Sequence, residues 1–316
     1  MADERVPGPV LHRVRPEGGG ILKLYLDCDT GVDDALAIAF LLSCPDVQIV
    51  GIGTTNGNTS AVQAARNTLG ILALSGISGI PLAIGTGAFR EGAAEVHGGN
   101  GVGGVTLPMG DAPDKRAPEE LLIDLARDNP GQLHILVTGP CTNLAAALTA
   151  APGLPSLIAS VTVMGGAVRV PGNRPGGAEA NIHDDPAAAA AVLAADWPLT
   201  LVPLDVTMQH RWTVADQAAL RAGGTPLHEA LADMLSAYFD FYAPKLGVRE
   251  IPLHDPLAAA IAVGAVTPDA PQLPLRIDDS GAVREDATAD SGVRVVLALA
   301  EPAAPLILAK ILGFRS

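Results

Sequence analysis

The stretch Ile21-Leu22-Lys23-Leu24-Tyr25-Leu26-Asp27-Cys28-Asp29-Thr30-Gly31-Val32-Asp33-Asp34-Ala35-Leu36-Ala37-Ile38-Ala39-Phe40-Leu41-Leu42 decides the fold. Ile21–Leu26 is an apolar run that reads as a buried strand, and Ala35–Leu42 reads as a helix. Between them lie the carboxylates Asp27, Asp29, Asp33 and Asp34. They fall where a strand ends and a helix begins, the place where open α/β sheets bind ligands. Such charge density repels itself unless it is solvated or neutralised, and a hard divalent cation with oxygen ligands is the economical solution. A solvated turn that merely caps the helix needs only one of these acids.

Working outward, strand-like and helix-like segments alternate. Strands are expected at Val47–Thr54, Pro81–Gly85, Leu133–Val137, Val161–Met164 and Leu199–Val202. Helices are expected at Ser60–Ser75, Pro118–Asp128, Asn143–Ala150, Pro186–Ala195, Ala215–Ala222, Pro226–Tyr242 and Pro256–Val263, with a flexible loop from Ala243 to Pro252. Repeated βα units of this kind give an α/β fold, an open and mostly parallel β-sheet covered by helices on both faces. Leu273–Ile277 and Val293–Leu299 read as a small, peripheral C-terminal hairpin before a last helix. Residues 1–20 read as a flexible N-terminal tail and residues 21–316 as a single domain, with neither a repeat nor a dividing linker.

Composition narrows the function. The chain has 316 residues, of which 48% are hydrophobic and 17% charged, enough for a large core. A net charge of −14 argues against nucleic acid or an anionic membrane surface as partner. No apolar run is long enough to span a bilayer. Cys28, Cys44 and Cys141 fit neither a zinc cluster nor a disulfide framework, which points to reduced thiols in a cytoplasmic protein.

Polar clusters recur where the expected strands end: Thr55-Asn56-Gly57-Asn58-Thr59, Thr138-Gly139-Pro140-Cys141-Thr142-Asn143, Gly165-Gly166 and Pro203-Leu204-Asp205-Val206-Thr207. Loops in this position share one rim of the sheet and converge on one site. Two later segments add chemistry. Gly172-Asn173-Arg174-Pro175-Gly176-Gly177-Ala178-Glu179-Ala180-Asn181-Ile182-His183-Asp184-Asp185-Pro186 offers amides and a carboxylate suited to sugar hydroxyls. His254-Asp255-Pro256 sets a group that donates protons near neutral pH beside a helix start.

With these residues in view, the chain resembles the inosine-uridine nucleoside hydrolases, which cleave the N-glycosidic bond of ribonucleosides. The family's aspartate-rich opening is matched by Asp27, Asp29, Gly31, Asp33, Asp34 and Ala35. The likeness continues through Gly57-Asn58, Thr138-Gly139-Pro140 with Thr142-Asn143, Met164-Gly165-Gly166, Glu179-x-Asn181 and His254-Asp255-Pro256. The resemblance implies a Ca²⁺ ion at the base of the pocket, held by Asp29, Asp34, the main-chain carbonyl of Thr138, and Asp255. A water and the two vicinal ribose hydroxyls complete the shell. It further implies that Asp29 takes the proton of that water. Asp33, Asn58 and Asn181 would bind the ribose, Asn173 and Glu179 its 5′-hydroxyl end, and His254 would protonate the leaving base.

His97 lies in a Gly-rich segment resembling the family's mobile loop near the pocket, where Gly-rich sequence suits a lid. Aromatic residues make up only 3% of the chain, and Ala180 stands where relatives often carry one. Tyr238 and Tyr242 share a helix face and are the candidates to close over the base. The implied partner is a nucleoside, the implied assembly a homodimer or homotetramer, and the implied role nucleoside salvage. A haloacid-dehalogenase-type phosphatase also opens with D-x-D after a strand, but it expects a downstream lysine. None of Lys23, Lys115, Lys245 and Lys310 follows a suitable strand end.

Overall fold

The computed structural model describes residues 20–86, 94–288 and 292–315. The segment read as an N-terminal tail lies outside them, Gly20 excepted. Strand β1 (Leu22–Cys28) precedes α1 (Val32–Leu42), β2 (Val47–Thr54) precedes α2 (Ala61–Leu74), and β3 (Leu82–Ile84) precedes α3 (Ala94–His97) and α4 (Pro118–Asp128). Then come β4 (Leu133–Val137) with α5 (Thr142–Ala150), and β5 (Ile158–Met164) with α6 (Ala180–Asp184) and α7 (Pro186–Ala194). After β6 (Leu199–Val202) and the short α8 (Leu204–Thr207), a ribbon of β7 (Arg211–Thr213) and β8 (Glu250–Pro252) brackets α9 (Val214–Ala222) and α10 (Pro226–Leu246). The chain closes with α11 (His254–Ala262), β9 (Pro268–Asp269), β10 (Gln272–Ile277), β11 (Val283–Glu285), β12 (Gly292–Val295), β13 (Ala298–Leu299) and α12 (Ala303–Gly313).

Nine strands form one sheet in the order β11-β10-β12-β6-β5-β4-β1-β2-β3. From β12 to β3 all neighbours are parallel, and only the β10 and β11 edge runs antiparallel. β1 is buried on both faces because its alternating side chains meet two helical layers. Leu24, Leu26 and Cys28 pack into one core with α1, α11 and α12, while Tyr25 packs into the other with α4, α5 and α7. The chain proceeds outward from β1 in one direction and from β4 in the other, so the strand order reverses between them. A crevice opens at such a switch point, beyond the carboxyl ends of the strands.

The C-terminal hairpin is present, but it is not a separate appendage. β12 pairs in parallel with β6, so the hairpin extends the main sheet. The stretch Ala243–Pro252, expected as a flexible loop, is largely regular. α10 continues to Leu246, Gly247 ends it with φ +70°, and β8 pairs with β7. Pro244 lies in the last turn, where its missing N–H removes only one bond of a long helix. The ribbon matters to function because the bond from Leu253 N to His210 O, 2.9 Å, delivers the start of α11 to the crevice. Among the described residues, no helix is long and apolar enough to cross a membrane. All three cysteines are buried thiols.

Candidate active site

The acidic turn folds around its own backbone. Gly31 N–H donates to Asp34 Oδ2 at 2.7 Å, which fixes one carboxylate of α1's first turn. Acids in that position also suit the positive end of the helix dipole. Asn58, from the turn after β2, then ties two acids together. Its backbone N–H reaches Asp29 Oδ2 at 2.7 Å, and its Nδ2 reaches Asp29 Oδ1 at 3.1 Å and Asp34 Oδ2 at 3.2 Å. The neighbouring position must be glycine, since a Cβ on Gly57 would fall on the Asp29 carboxylate. Thr138, at the end of β4, donates its hydroxyl to Asp34 Oδ1 at 2.7 Å. Asp255 arrives on α11, and one oxygen each from Asp33, Asp34 and Asp255 lies within 4.8 Å of the others.

This cluster is buried and uncompensated. Asp29, Asp33, Asp34 and Asp255 are each no more than 5% exposed. Among the described residues no Lys or Arg pairs with them, and His97, whose Nδ1 is 3.8 Å from Asp33 Oδ1, would form an ion pair only if protonated. Burial, followed by repulsion from Asp34, pushes the Asp29 carboxyl well above the usual range. Burial, followed by repulsion from Asp33, Asp34 and Asp29, does so for Asp255, and burial with repulsion from Asp33 raises Asp34. Burial pushes Asp33 up to about 6. Asp33 Oδ1 and Asp255 Oδ2 are buried with no hydrogen-bond partner among the described residues. Crowded carboxylates with vacant lone pairs and an all-oxygen donor set fit a hard divalent cation. Asp34 and Asp255 are both in the tightest group. Asp33 completes that group; Asp29 lies outside it but is tied to Asp34 by Asn58, and Thr138 is tied to Asp34 by its hydroxyl while its carbonyl oxygen accepts from Asn181 Nδ2 at 2.7 Å.

The loop over residues 165–181 is organised by Glu179. Its carboxylate accepts from Asn181 N at 3.0 Å, Gly166 N at 3.0 Å and Ile182 N at 3.3 Å, so it caps α6 and stitches the loop to the end of β5. Burial pushes its carboxyl up to about 7, against these amides. Asn173, on the same loop, is exposed.

On the far side, α10 brings two tyrosines. The Tyr238 hydroxyl donates to Asp33 Oδ2 at 3.1 Å, and the ring of Tyr238 lies edge-on to Tyr242 at 4.9 Å. Tyr242 Oη is 3.0 Å from His254 Nε2, and Thr207 Oγ1 is 2.8 Å from His254 Nδ1. His254 is buried, and this lowers its pKa to about 3. His97 is buried. Its Nδ1 accepts from Val32 N at 3.1 Å, its ring lies 5.4 Å from Tyr238, and burial lowers its pKa to about 4. Gly31 leaves room for it, since a Cβ there would stand 2.6 Å from His97 Nδ1.

Three contributors were not assigned roles from the sequence. Asp27 is buried and held by Asn143 Nδ2 at 2.8 Å, and Thr207 orients His254. Asp205 anchors the start of the same 165–181 loop by accepting from Val168 N at 2.8 Å and Arg169 N at 2.7 Å. Their signal was position alone, since each lies in or beside a polar cluster at a strand's carboxyl end.

Comparisons with known proteins agree with this arrangement. The family model for the inosine-uridine preferring nucleoside hydrolases matches residues 24–303. Uridine nucleosidase 1 of Arabidopsis thaliana is 34% identical over 256 residues, covering 78% of this chain and 74% of that protein. The pyrimidine-specific ribonucleoside hydrolase RihA of Salmonella arizonae is 36% identical over 245 residues, covering 76% and 78%. Among solved structures, a purine-preferring ribonucleoside hydrolase from Gardnerella vaginalis superposes with a TM-score of 0.83 at 33% identity, covering 92% of this chain and 97% of that one. With its acidic crevice at the sheet's switch point and a match along most of its length, the chain belongs to the inosine-uridine preferring nucleoside hydrolase family, hydrolases of the nucleoside N-glycosidic bond.

Proposed function

We propose that the chain hydrolyses ribonucleosides to free base and ribose with a Ca²⁺ ion held by Asp29, Asp34, Asp255 and the carbonyl oxygen of Thr138. The observation that carries this reading is the convergence of buried carboxylates with no Lys or Arg partner among the described residues. Ca²⁺ suits a buried, protein-supplied oxygen set better than Mg²⁺, which retains several waters. When bound, the ion neutralises the cluster and supplies Lewis acidity toward the attacking water.

The chain's own groups do the rest. Asp29, fixed through both oxygens by Asn58, accepts the proton of the attacking water. Asp33 offers its unpartnered Oδ1 to a ribose hydroxyl, and Asn58 and Asn181 also bind the ribose. Asn173 and Glu179 take the 5′-hydroxyl end, and His97 closes the wall beside Asp33. Positive charge growing on the ribose ring in an oxocarbenium-like transition state is stabilised by the carboxylates below it, strongly so in a dry site. Both ring nitrogens of His254 are engaged, so it assists the leaving base through the Tyr242 hydroxyl. Tyr238 and Tyr242 line the base side. A homodimer or homotetramer acting in cytoplasmic nucleoside salvage completes the reading.

Calorimetric titration of the metal-free protein with Ca²⁺ tests the ligand set. One tight site that is weakened in both Asp34→Asn and Asp255→Asn supports it. Unchanged binding in both variants contradicts it.

A further inference from the structure

The acidic turn and the segment bearing His97 come from distant parts of the chain, and α2 joins them. Asn67 on α2 is 2% exposed. Its Nδ2 donates to Thr30 O at 3.0 Å and to Asn100 O at 2.9 Å, so both amide protons are spent. Its Oδ1 accepts from Gln63 Nε2 at 2.9 Å, which fixes the direction of the amide. The next residue strengthens the grip on the turn, with Thr68 Oγ1 2.6 Å from Thr30 Oγ1.

Each carbonyl that Asn67 holds belongs to a piece of the site. Thr30 stands between Asp29 and Gly31, whose N–H fixes Asp34. Asn100 organises the Gly-rich segment. Its Oδ1 accepts from Val102 N at 3.2 Å and Gly104 N at 2.9 Å, and its Nδ2 donates to Val105 O at 2.9 Å. Gly103 N closes that segment onto His97 O at 2.7 Å. The buried Thr30 carbonyl and the half-buried Asn100 carbonyl face one point and require a side chain with two donors. Asp would oppose them with oxygen, and Leu or Ala would leave both unsatisfied.

We propose that Asn67 is a positioning residue that sets the register between Asp33 and His97, and through it the binding of the riboside. The proposal rests on the reading of Asp33 and His97 as substrate-facing groups. An amide that bridges two segments controls their spacing directly, as outer-shell partners control the aim of the groups they hold.

The test is steady-state kinetics at saturating Ca²⁺ on wild type, Asn67→Ala, His97→Ala, the double variant and Gln63→Met, with melting curves recorded for each. Gln63→Met leaves Asn67 in place and removes only its brace. The expected result for Asn67→Ala is a fall in kcat/KM of about 10- to 100-fold, carried mainly by a rise in KM, which a smaller folded fraction does not produce. The double variant should be no worse than the poorer single variant by more than about threefold, because coupled residues are not additive. Gln63→Met should move KM the same way by roughly two- to fivefold, and it decides the matter if Asn67→Ala does not fold. A raised KM in His97→Ala with KM unchanged in both Asn67→Ala and Gln63→Met overturns the proposal, as do fully multiplicative losses in the double variant. An unchanged KM in His97→Ala removes the substrate-facing reading itself, and the proposal with it.

Discussion

The Tyr242 hydroxyl lies 3.0 Å from Nε2 of His254, and this contact sets how the imidazole can act. Thr207 occupies the other ring nitrogen at 2.8 Å. Burial lowers the His254 pKa to about 3, so the ring is neutral at physiological pH. On the proposed reading, a proton bound for a departing base passes through the tyrosine. His254→Ala should slow purine ribosides by roughly 10²- to 10⁴-fold, the usual worth of a general acid, and should affect p-nitrophenyl riboside far less. Tyr242→Phe should show the same selectivity. Equal losses on both substrates, measured as kcat/KM, would remove the leaving-group role.

The carboxylates divide by what each loss should cost. Asp29→Ala should lower turnover by roughly 10³-fold or more, because it removes the group placed to take the water's proton. Asp34→Ala should weaken Ca²⁺ binding by at least the about 10- to 100-fold typical of an outer-shell loss, and activity should recover in part at high Ca²⁺. Side-by-side Ca²⁺ titrations and rate measurements separate the two. Full rescue of Asp29→Ala by Ca²⁺ would reassign that residue to metal binding alone.

Glu179 carries a pH signature. Its folded pKa is raised to about 7 by burial, above the ordinary 4.5. The folded state therefore keeps a proton that the unfolded chain has released. Its contribution is fully present below about pH 4.5 and is lost as pH rises through about 7. Glu179→Gln keeps a neutral side chain throughout. The stability of the variant relative to wild type should rise from pH 4.5 to 7.5 by up to about 3 kcal/mol and level off above that. A difference that stays flat across this window, read from metal-free thermal melts, would place the Glu179 titration outside it.

Much of the fold was legible because it is written in local patterns. β4 and α4 have the bounds that their apolar periodicity and the first-turn Glu119 and Glu120 suggest. The acidic turn announced itself through carboxylates too numerous for a cap. What escaped depended on distant partners. β12 has only four residues, and its place in the main sheet is set by pairing with β6, which no local pattern encodes. Ala243–Pro252 contains Pro244 and Gly247, signals that read as a loop but here fall in a helix's last turn and its cap. His97 sits among glycines that suggest exposure, yet those glycines let the segment turn tightly around a buried imidazole. Asn67 looks like a solvent-facing position of α2, and only the fold shows two carbonyls converging on it.

The central claim is that buried carboxylates without cationic partners make this a metal-dependent ribonucleoside hydrolase. Free ribose released from inosine, adenosine, guanosine, uridine and cytidine tests it most directly, with Ca²⁺ present and after exhaustive chelation, in the absence of phosphate. The account predicts release from at least one nucleoside, loss of that release on chelation, and recovery when Ca²⁺ is restored. Equal release before and after chelation, or none from any nucleoside by a protein that binds Ca²⁺, would contradict it.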